Sequence, residues 1–143
     1  MPDIPWTYVT RLLSAAANAA EERGLAVSIS VADRDGAQVG ALRMPGAAAL
    51  TARLAAAKAY TSASFRNDSD ALVSLETDAP SLFAAADDLA DQPLITTKGG
   101  VAIRDRDTVV GAIGVSGGTG DQDVEIAAAA IAAHPIGAWM GRG

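Results

Sequence analysis

The strongest constraint on the fold is an apolar run near the C-terminus, "TVVGAIGV" (108–115), which ends in the glycine-rich stretch "SGGTG". A run this apolar is typical of a central strand that is covered on both faces of its sheet. The glycines lead into "DQDVEIAAAA", which predicts a helix from Asp121 to about Ala133 with acidic residues in its first turn, where they suit the helix dipole. The chain therefore needs a sheet with helices packed on it.

Tight turns between the other predicted strands set the strand directions. Val27, Ile29 and Val31 alternate with serines, and Asp35-Gly36 is a strong hairpin signal before a second strand near Gln38–Met44. The segment "PLITTKGGVAIRD" (93–105) predicts a third strand, a Gly-Gly turn and a fourth strand ahead of the apolar one. Strands joined in this way form an antiparallel sheet. We therefore predict an α/β (α+β) fold with a five-stranded antiparallel sheet flanked by helices.

Helical periodicity fills the rest of the chain. Apolar residues recur at helical spacing over about Pro5–Arg23 and Ala47–Phe65, and two shorter helices are predicted at Asp70–Glu76 and Ser81–Leu89. No repeat or linker divides the chain. The 143 residues are enough to bury a core, so we predict a single domain over residues 1–143.

Composition excludes several functional classes. The net charge of −6 argues against nucleic-acid partners and anionic membrane surfaces, since both reward basic patches. The sequence has no cysteine, which excludes disulfides, thiolate catalysis and cysteine-bound metal centres. The N-terminus lacks the basic-then-apolar order of a signal peptide, and no apolar run is long enough to span a bilayer. We therefore expect a cytoplasmic protein.

The corner after the apolar strand contains G-x-S-x-G, with Ser116 at its centre, and the only histidine, His134, follows. A nucleophile elbow needs a sharp turn straight into a helix, whereas several glycines intervene here. His134 is predicted at the far end of the same helix, so it should lie well away from Ser116. Two interpretations remain open: the backbone N–H groups of Ser116, Gly117 and Gly118 cradle a ligand anion, or the glycines only form a packing corner.

Lys58 is the other candidate for chemistry. It lies in "AAAKAYTSASF", an otherwise apolar helical stretch, with Thr61 one turn further on. A lysine beside hydroxyl groups on a partly apolar face could meet a ligand carboxylate. The alternative is a surface lysine that extends its ammonium group into solvent.

Several stretches together resemble the GlcG/HbpS family, which includes the C-terminal domain of PduO-type proteins. The resemblance covers nearly the whole chain and rests on "VSISVADRDGAQVGALRM", "AKAYTSASF" and "KGGVAIRDRDTVVGAIGVSGGTGDQD", in this order. It implies a profilin-like domain, homo-oligomers that are often octamers, and in several members the binding of haem or a related tetrapyrrole. In the haem-binding branch a threonine of the K-A-Y-T-like segment is associated with the iron, and here it would be Thr61.

Two hypotheses follow for the function. The first is a small-molecule binding protein that holds haem or another apolar, carboxylate-bearing ligand. Arg43, Arg53 or Lys58 would meet the carboxylates, Thr61 and the Gly99-Gly100 turn would shape the pocket, and Thr61 or His134 would be weak candidates for contact with haem iron. No other metal site is predicted.

The second hypothesis is a cofactor-free isomerase, cyclase or lyase of a specialised pathway. Lys58 would act as an electrophile or proton donor and Asp33 as a base, if burial shifts their pKa values. A purely structural subunit of an oligomer is a third possibility, because alanine-rich helices suit close packing between subunits.

Overall fold

The computed structural model describes residues 3–140 of the chain. Five α-helices and four β-strands make up these residues, with short 3₁₀ turns at Ser69–Leu72 and Ile136–Trp139. In chain order the elements are α1 (Trp6–Glu22), β1 (Ser28–Asp33), β2 (Gln38–Arg43), α2 (Ala49–Phe65), α3 (Val73–Asp78), α4 (Pro80–Leu89), β3 (Gly100–Asp105), β4 (Thr108–Ser116) and α5 (Gly120–Ala133).

The strands form one antiparallel sheet in the order β2-β1-β4-β3. β4 therefore lies in the interior of the sheet, and all of its residues after Thr108 are buried, as its unbroken apolar sequence predicts. β1 pairs with β4 from Ser28 opposite Ser116 to Asp33 opposite Gly111. This register places the β1–β2 turn and the β3–β4 turn at one end of the sheet, and the glycine-rich corner at the other.

The predicted α+β class and antiparallel sheet are confirmed, but the count of five strands was wrong. Residues 93–98 lie outside the sheet because side chains from the helices bind their backbone groups. The Leu94 N–H donates to Asp87 Oδ1 at 2.9 Å, and the Ile95 N–H donates to Thr61 Oγ1 at 3.0 Å. A backbone whose donors are satisfied in this way has no need of a strand partner.

The helices cover the two faces of the sheet unequally. On one face, α1 and α5 pack over large aliphatic side chains such as Ile29, Val31 and Ile113, which form the main core. On the other face, α2 lies against small residues only: Ser28, Ser30, Ala32, Ala112 and Gly114 alternate with the aliphatic positions along β1 and β4.

The long helices agree closely with the sequence prediction, because their apolar periodicity is local information. Both ends of α1 and of α2 lie within two residues of the predicted bounds. The short helix predicted at Asp70–Glu76 is instead a 3₁₀ turn followed by α3, and Pro80 begins α4 at a position that proline favours.

None of the helices in residues 3–140 is long and apolar enough to cross a membrane. Residues 1–2 and 141–143 of the predicted single domain lie outside the described part of the chain, so the domain bounds stay a prediction.

Gly114 offers a test of the close packing between α2 and β4. A Cβ atom at this position would lie 2.7 Å from the Ala59 backbone nitrogen and closer still to the Ala55 carbonyl oxygen. We expect Gly114→Ala to lower the free energy of unfolding by about 3 kcal/mol, because two backbones must move apart. Gly137→Ala is the matched control, since its nearest neighbour would be 3.9 Å away. Urea denaturation measures both, and equal stability of the two variants would contradict this packing.

Candidate functional site

Lys58 does not extend into solvent. Its side chain is only 7% exposed, and its ammonium group donates to the Val115 carbonyl oxygen at 2.9 Å and to Asp123 Oδ2 at 3.2 Å. Asp123, in the first turn of α5, is 3% exposed. The lysine therefore joins α2, β4 and α5 through one buried ion pair.

Asp123 has a second fixed contact. Its Oδ1 accepts a hydrogen bond from the Gly118 N–H at 2.9 Å. Burial raises the pKa of the Asp123 carboxyl, while the Gly118 hydrogen bond and the Lys58 ammonium act in the opposite direction. The Asp123 carboxylate thus accepts from one of the three backbone N–H groups that were candidates to bind a ligand anion, and at Gly118 the corner binds an anion that belongs to the chain itself.

The glycines of the predicted pocket lie around this ion pair. A Cβ atom on Gly99 would lie 2.8 Å from Lys58 Nζ, and one on Gly100 would lie 2.5 Å from the Lys58 carbonyl oxygen. Gly117 has a φ of +138° and turns the chain out of β4. These positions need glycine because backbone and lysine approach closely there, which is a packing requirement.

Ser116 and His134 lie at opposite ends of α5. Ser116 ends β4 opposite Ser28 and is 5% exposed. His134 follows the last turn of α5, and its ring packs edge-on against Trp139 with 6.2 Å between ring centroids. The 14 residues of α5 correspond to about 20 Å. The structure therefore does not bring this serine and histidine together.

Asp33 is also apart from Lys58. Its Oδ1 accepts hydrogen bonds from the Asp35 and Ala37 N–H groups at 2.9 and 3.0 Å, which shapes the β1–β2 turn. It pairs with Gly111, four positions along β4 from the Val115 carbonyl that Lys58 binds, or about 13 Å. The acid–base pair of the enzyme hypothesis is therefore not assembled in this conformation.

Thr61 is completely buried, and its hydroxyl has two partners. It donates to the Ala57 carbonyl at 2.8 Å and accepts from the Ile95 N–H at 3.0 Å. The single hydroxyl proton is therefore already donated within α2, and the buried side chain has no donor left for a ligand. Its observed effect is indirect, because it fixes the segment around Ile95 against α2.

That segment and α2 enclose an apolar groove of 380 Å³, called the α2 groove below. Arg53 is the cation on its wall, and Leu50 beside it is 63% exposed. Arg43 does not reach this groove, since it donates to the Ala47 carbonyl at 3.2 Å at the end of β2. The lining residues are Leu50, Arg53, Leu54, Ala56, Ala57, Asp91, Gln92, Pro93 and Ile95.

The side chains of residues 3–140 form few arrangements that could bind a metal ion. Within residues 3–140 no group of three or more histidine, aspartate or glutamate side chains could hold a metal ion. The lining of the α2 groove contains no histidine or methionine. A haem in the groove would therefore be held through its apolar ring and its carboxylates, without a nitrogen or sulfur ligand to the iron from these residues.

Comparison with known proteins decides the family. The sequence profile of the family described as "Haem degrading protein HbpS-like" matches residues 4–132. This chain belongs to the HbpS-like family. The resemblance predicted from the sequence is thus confirmed.

Solved structures support the same assignment. The HbpS-like chain superposes on the PduOC:heme complex with a TM-score of 0.84 and 28% identity, covering 95% of this chain and 98% of that one. It superposes on a double mutant of HbpS from Streptomyces reticuli with a TM-score of 0.83 and 30% identity, covering 94% and 88%.

Curated relatives are longer proteins. The corrinoid adenosyltransferase PduO of Citrobacter freundii is 33% identical over 123 residues, which are 86% of this chain and 36% of that protein. PduO of Salmonella typhimurium is 30% identical over 127 residues, covering 89% and 38%. The chain thus spans little more than a third of these relatives.

Asp123 and Ile95 are the site residues that sequence reasoning missed. An acid in a first helical turn has the pattern of a solvated residue, and its lysine partner is 65 positions away. The available signal was the pairing of an isolated lysine in an apolar helix with an acid beside a glycine corner, since a buried charge needs a partner.

The buried pair predicts strong coupling between its two members. Lys58→Met should lower the free energy of unfolding by about 3 kcal/mol, because Asp123 would remain buried without its cation. Adding Asp123→Asn to this variant should cost much less than it costs alone. A double-mutant cycle by urea denaturation measures the coupling, and additive effects would contradict it. Lys98→Met is the control, because the Lys98–Asp121 pair is exposed and should change stability little.

Asp123 and Asp121 should differ in the sign of their pH dependence. Because burial raises the pKa of Asp123, its carboxyl contributes most to stability below the unfolded pKa, and this contribution is lost as pH rises through the folded pKa. The hydrogen bond from Lys98 lowers the pKa of Asp121, so its contribution is present above the unfolded pKa and is lost as pH falls through the folded pKa.

Denaturation of the parent protein and of Asp123→Asn and Asp121→Asn, from about pH 3 to pH 7, tests this difference. Relative to Asp123→Asn, the parent protein should lose stability as pH rises. Relative to Asp121→Asn, it should gain. The same sign for both carboxyls would refute the assignment, and an NMR titration of the two carboxyl carbons gives the pKa directions independently.

Proposed function

We propose that the chain is a small-molecule binding protein whose α2 groove takes haem or another apolar ligand that carries carboxylates. The observation that supports this most is the groove itself, where a half-exposed row of aliphatic side chains lies beside Arg53. Ligand sites are typically concave and mostly apolar, with a few polar groups that fix orientation.

Each feature of the groove corresponds to a part of such a ligand. Leu50, Leu54 and Ile95 offer apolar contacts to a flat ring, and Arg53 can form a charge-assisted hydrogen bond with a carboxylate at its edge. Family membership and the likeness to the PduOC:heme complex support a tetrapyrrole as the ligand. When bound, haem would supply the redox and oxygen chemistry of its iron, while the chain supplies enclosure and orientation.

The site residues predicted from the sequence keep distinct parts in this proposal. Arg53 would meet the carboxylate, and Thr61 would set the width of the groove by holding Ile95. Lys58, Gly99, Gly100, Ser116, Gly117 and Gly118 would act through the stability of the fold around the buried ion pair. A homo-oligomeric, octameric state and a profilin-like fold belong to the proposal as properties implied by the family resemblance, and a cytoplasmic location belongs to it as a separate expectation.

Because the groove lining offers the iron no nitrogen or sulfur ligand, iron-free protoporphyrin IX should bind about as tightly as hemin. Absorbance and fluorescence titrations of the purified protein measure both affinities. Leu50→Glu should weaken both by about tenfold or more, because it places a charge on the apolar wall and repels carboxylates. Leu89→Glu is the matched control, since Leu89 is 86% exposed and does not line the groove.

Two results would contradict the proposal. Failure of both porphyrins to bind would remove tetrapyrroles as ligands. Binding of hemin alone, abolished by His134→Ala and unchanged by Leu50→Glu, would place iron ligation near α1 and α5, where His134 lines a separate cleft.

A further inference from the structure

A second cavity lies at the opposite end of α2 from the α2 groove. It has a volume of 530 Å³ and is called the arginine cavity below. Its lining residues are Arg34, Arg66, Arg104, Asp107, Thr108 and Val109. We infer that this cavity binds a compact oxyanion with two or more negative charges, of the phosphate or polycarboxylate type.

Three separate elements bring the arginines together. Arg34 lies in the β1–β2 turn, Arg104 lies near the end of β3, and Arg66 is the residue that ends α2. The sheet register places both turns at one end of the sheet. Gly36 of the first turn faces Tyr60 and Ser64 of α2, where a Cβ atom would lie 3.1 Å and 3.2 Å from their side chains, so the turn approaches the last part of this helix.

The positions of the guanidinium groups are partly fixed by the backbone. Arg66 has a φ of 56°, a left-handed conformation that a non-glycine residue seldom adopts, and this conformation directs the chain away at the end of α2. The Arg104 Nη2 lies 3.5 Å from the Oδ1 of Asn67, the residue that follows Arg66. The Arg104 guanidinium therefore lies beside the end of α2.

The cavity is positive in a protein that is otherwise acidic. Three of its eleven lysines and arginines line one cavity, although the net charge of the chain is −6. Two carboxylates offset them in part: Asp107 lies in the lining, and Asp3 Oδ1 lies 3.9 Å from Arg34 while its own side chain is 82% exposed. Asp105 lies opposite Thr108 in the β3–β4 turn. Arginines therefore outnumber carboxylates in the lining.

The chemistry of the lining points to the ligand class. Guanidinium groups form paired hydrogen bonds with the planar edges of carboxylates and with phosphate oxygens, and three of them suit a multiply charged group better than a single carboxylate. The Thr108 hydroxyl adds a neutral hydrogen-bonding group, and the cavity is larger than one oxyanion requires. An organic group attached to the anion would therefore have room.

This site is distinct from the α2 groove. Arg53 and Arg66 are 13 positions apart on or at the end of one helix, which corresponds to about 20 Å. The two cavities share no lining residue. The inference therefore does not depend on the binding of a porphyrin.

Isothermal titration of the full chain with sodium pyrophosphate and with sodium citrate, against sodium chloride at equal ionic strength, tests the inference. We expect saturable binding at one site that weakens as salt is added. Tighter binding of pyrophosphate assigns the site to phosphates, and tighter binding of citrate assigns it to polycarboxylates. No saturable binding of either anion would overturn the inference.

Variants locate the site. Arg66→Asn removes a cation and keeps a residue that tolerates the left-handed conformation, so the fold should persist. Together with Arg104→Gln, a second variant at an exposed strand position, it should weaken anion binding about tenfold per residue. Arg11→Gln changes the net charge by the same amount on α1 and should have no effect. Equal losses in Arg11→Gln and Arg66→Asn would show only general electrostatics and would overturn the site, as would a loss confined to Arg53→Gln.

Discussion

The close approach of α2 to β4 is the constraint on which the rest of the structure depends. Gly114 leaves the backbone of β4 open to the carbonyl of Ala55, and Gly100 leaves β3 open to the carbonyl of Lys58. Large side chains on this face would hold the helix further from the sheet. Because they are absent, the part of α2 from Ala55 to Ala63 packs directly against the sheet backbone rather than on a thick aliphatic layer, and the large side chains are confined to the opposite face.

The buried ion pair follows from this arrangement. Lys58 lies in the part of α2 that packs against the sheet, and its ammonium group donates to the Val115 carbonyl and to Asp123 in the first turn of α5. A buried ion pair contributes little net stability, but it destabilises any alternative conformation of the chain that separates the two charges. It therefore specifies how α5 leaves the glycine corner. In this chain, the lysine and the glycines around it therefore indicate a fold more directly than a reaction.

Local patterns predicted the parts of this fold that local forces determine. The bounds of α1 and α2, the hairpin at Asp35-Gly36 and the buried strand β4 could be predicted from periodicity and turn chemistry. The false strand in residues 93–98 could not be recognised, because the partners of its N–H groups, Asp87 and Thr61, become neighbours only after folding. The same holds for Asp123 and for the arginine cavity, whose members come from three separate parts of the chain.

The helices α3 and α4 follow α2 in the chain, and the residues just after α4 form one wall of the α2 groove. This arrangement has a consequence for the groove. Neither α3 nor α4 contains a buried residue, whereas α2 is buried along much of its length. Segments with few buried contacts open at a lower free energy than the core does. The two walls of the α2 groove therefore differ in the free energy that is needed to move them. The helix is packed against the sheet, whereas the strap of residues 91–95 follows helices without buried residues and is held by the buried Leu94 side chain and by the hydroxyls of Tyr60 and Thr61. Ligands of different thickness would be accommodated by movement of that one wall alone.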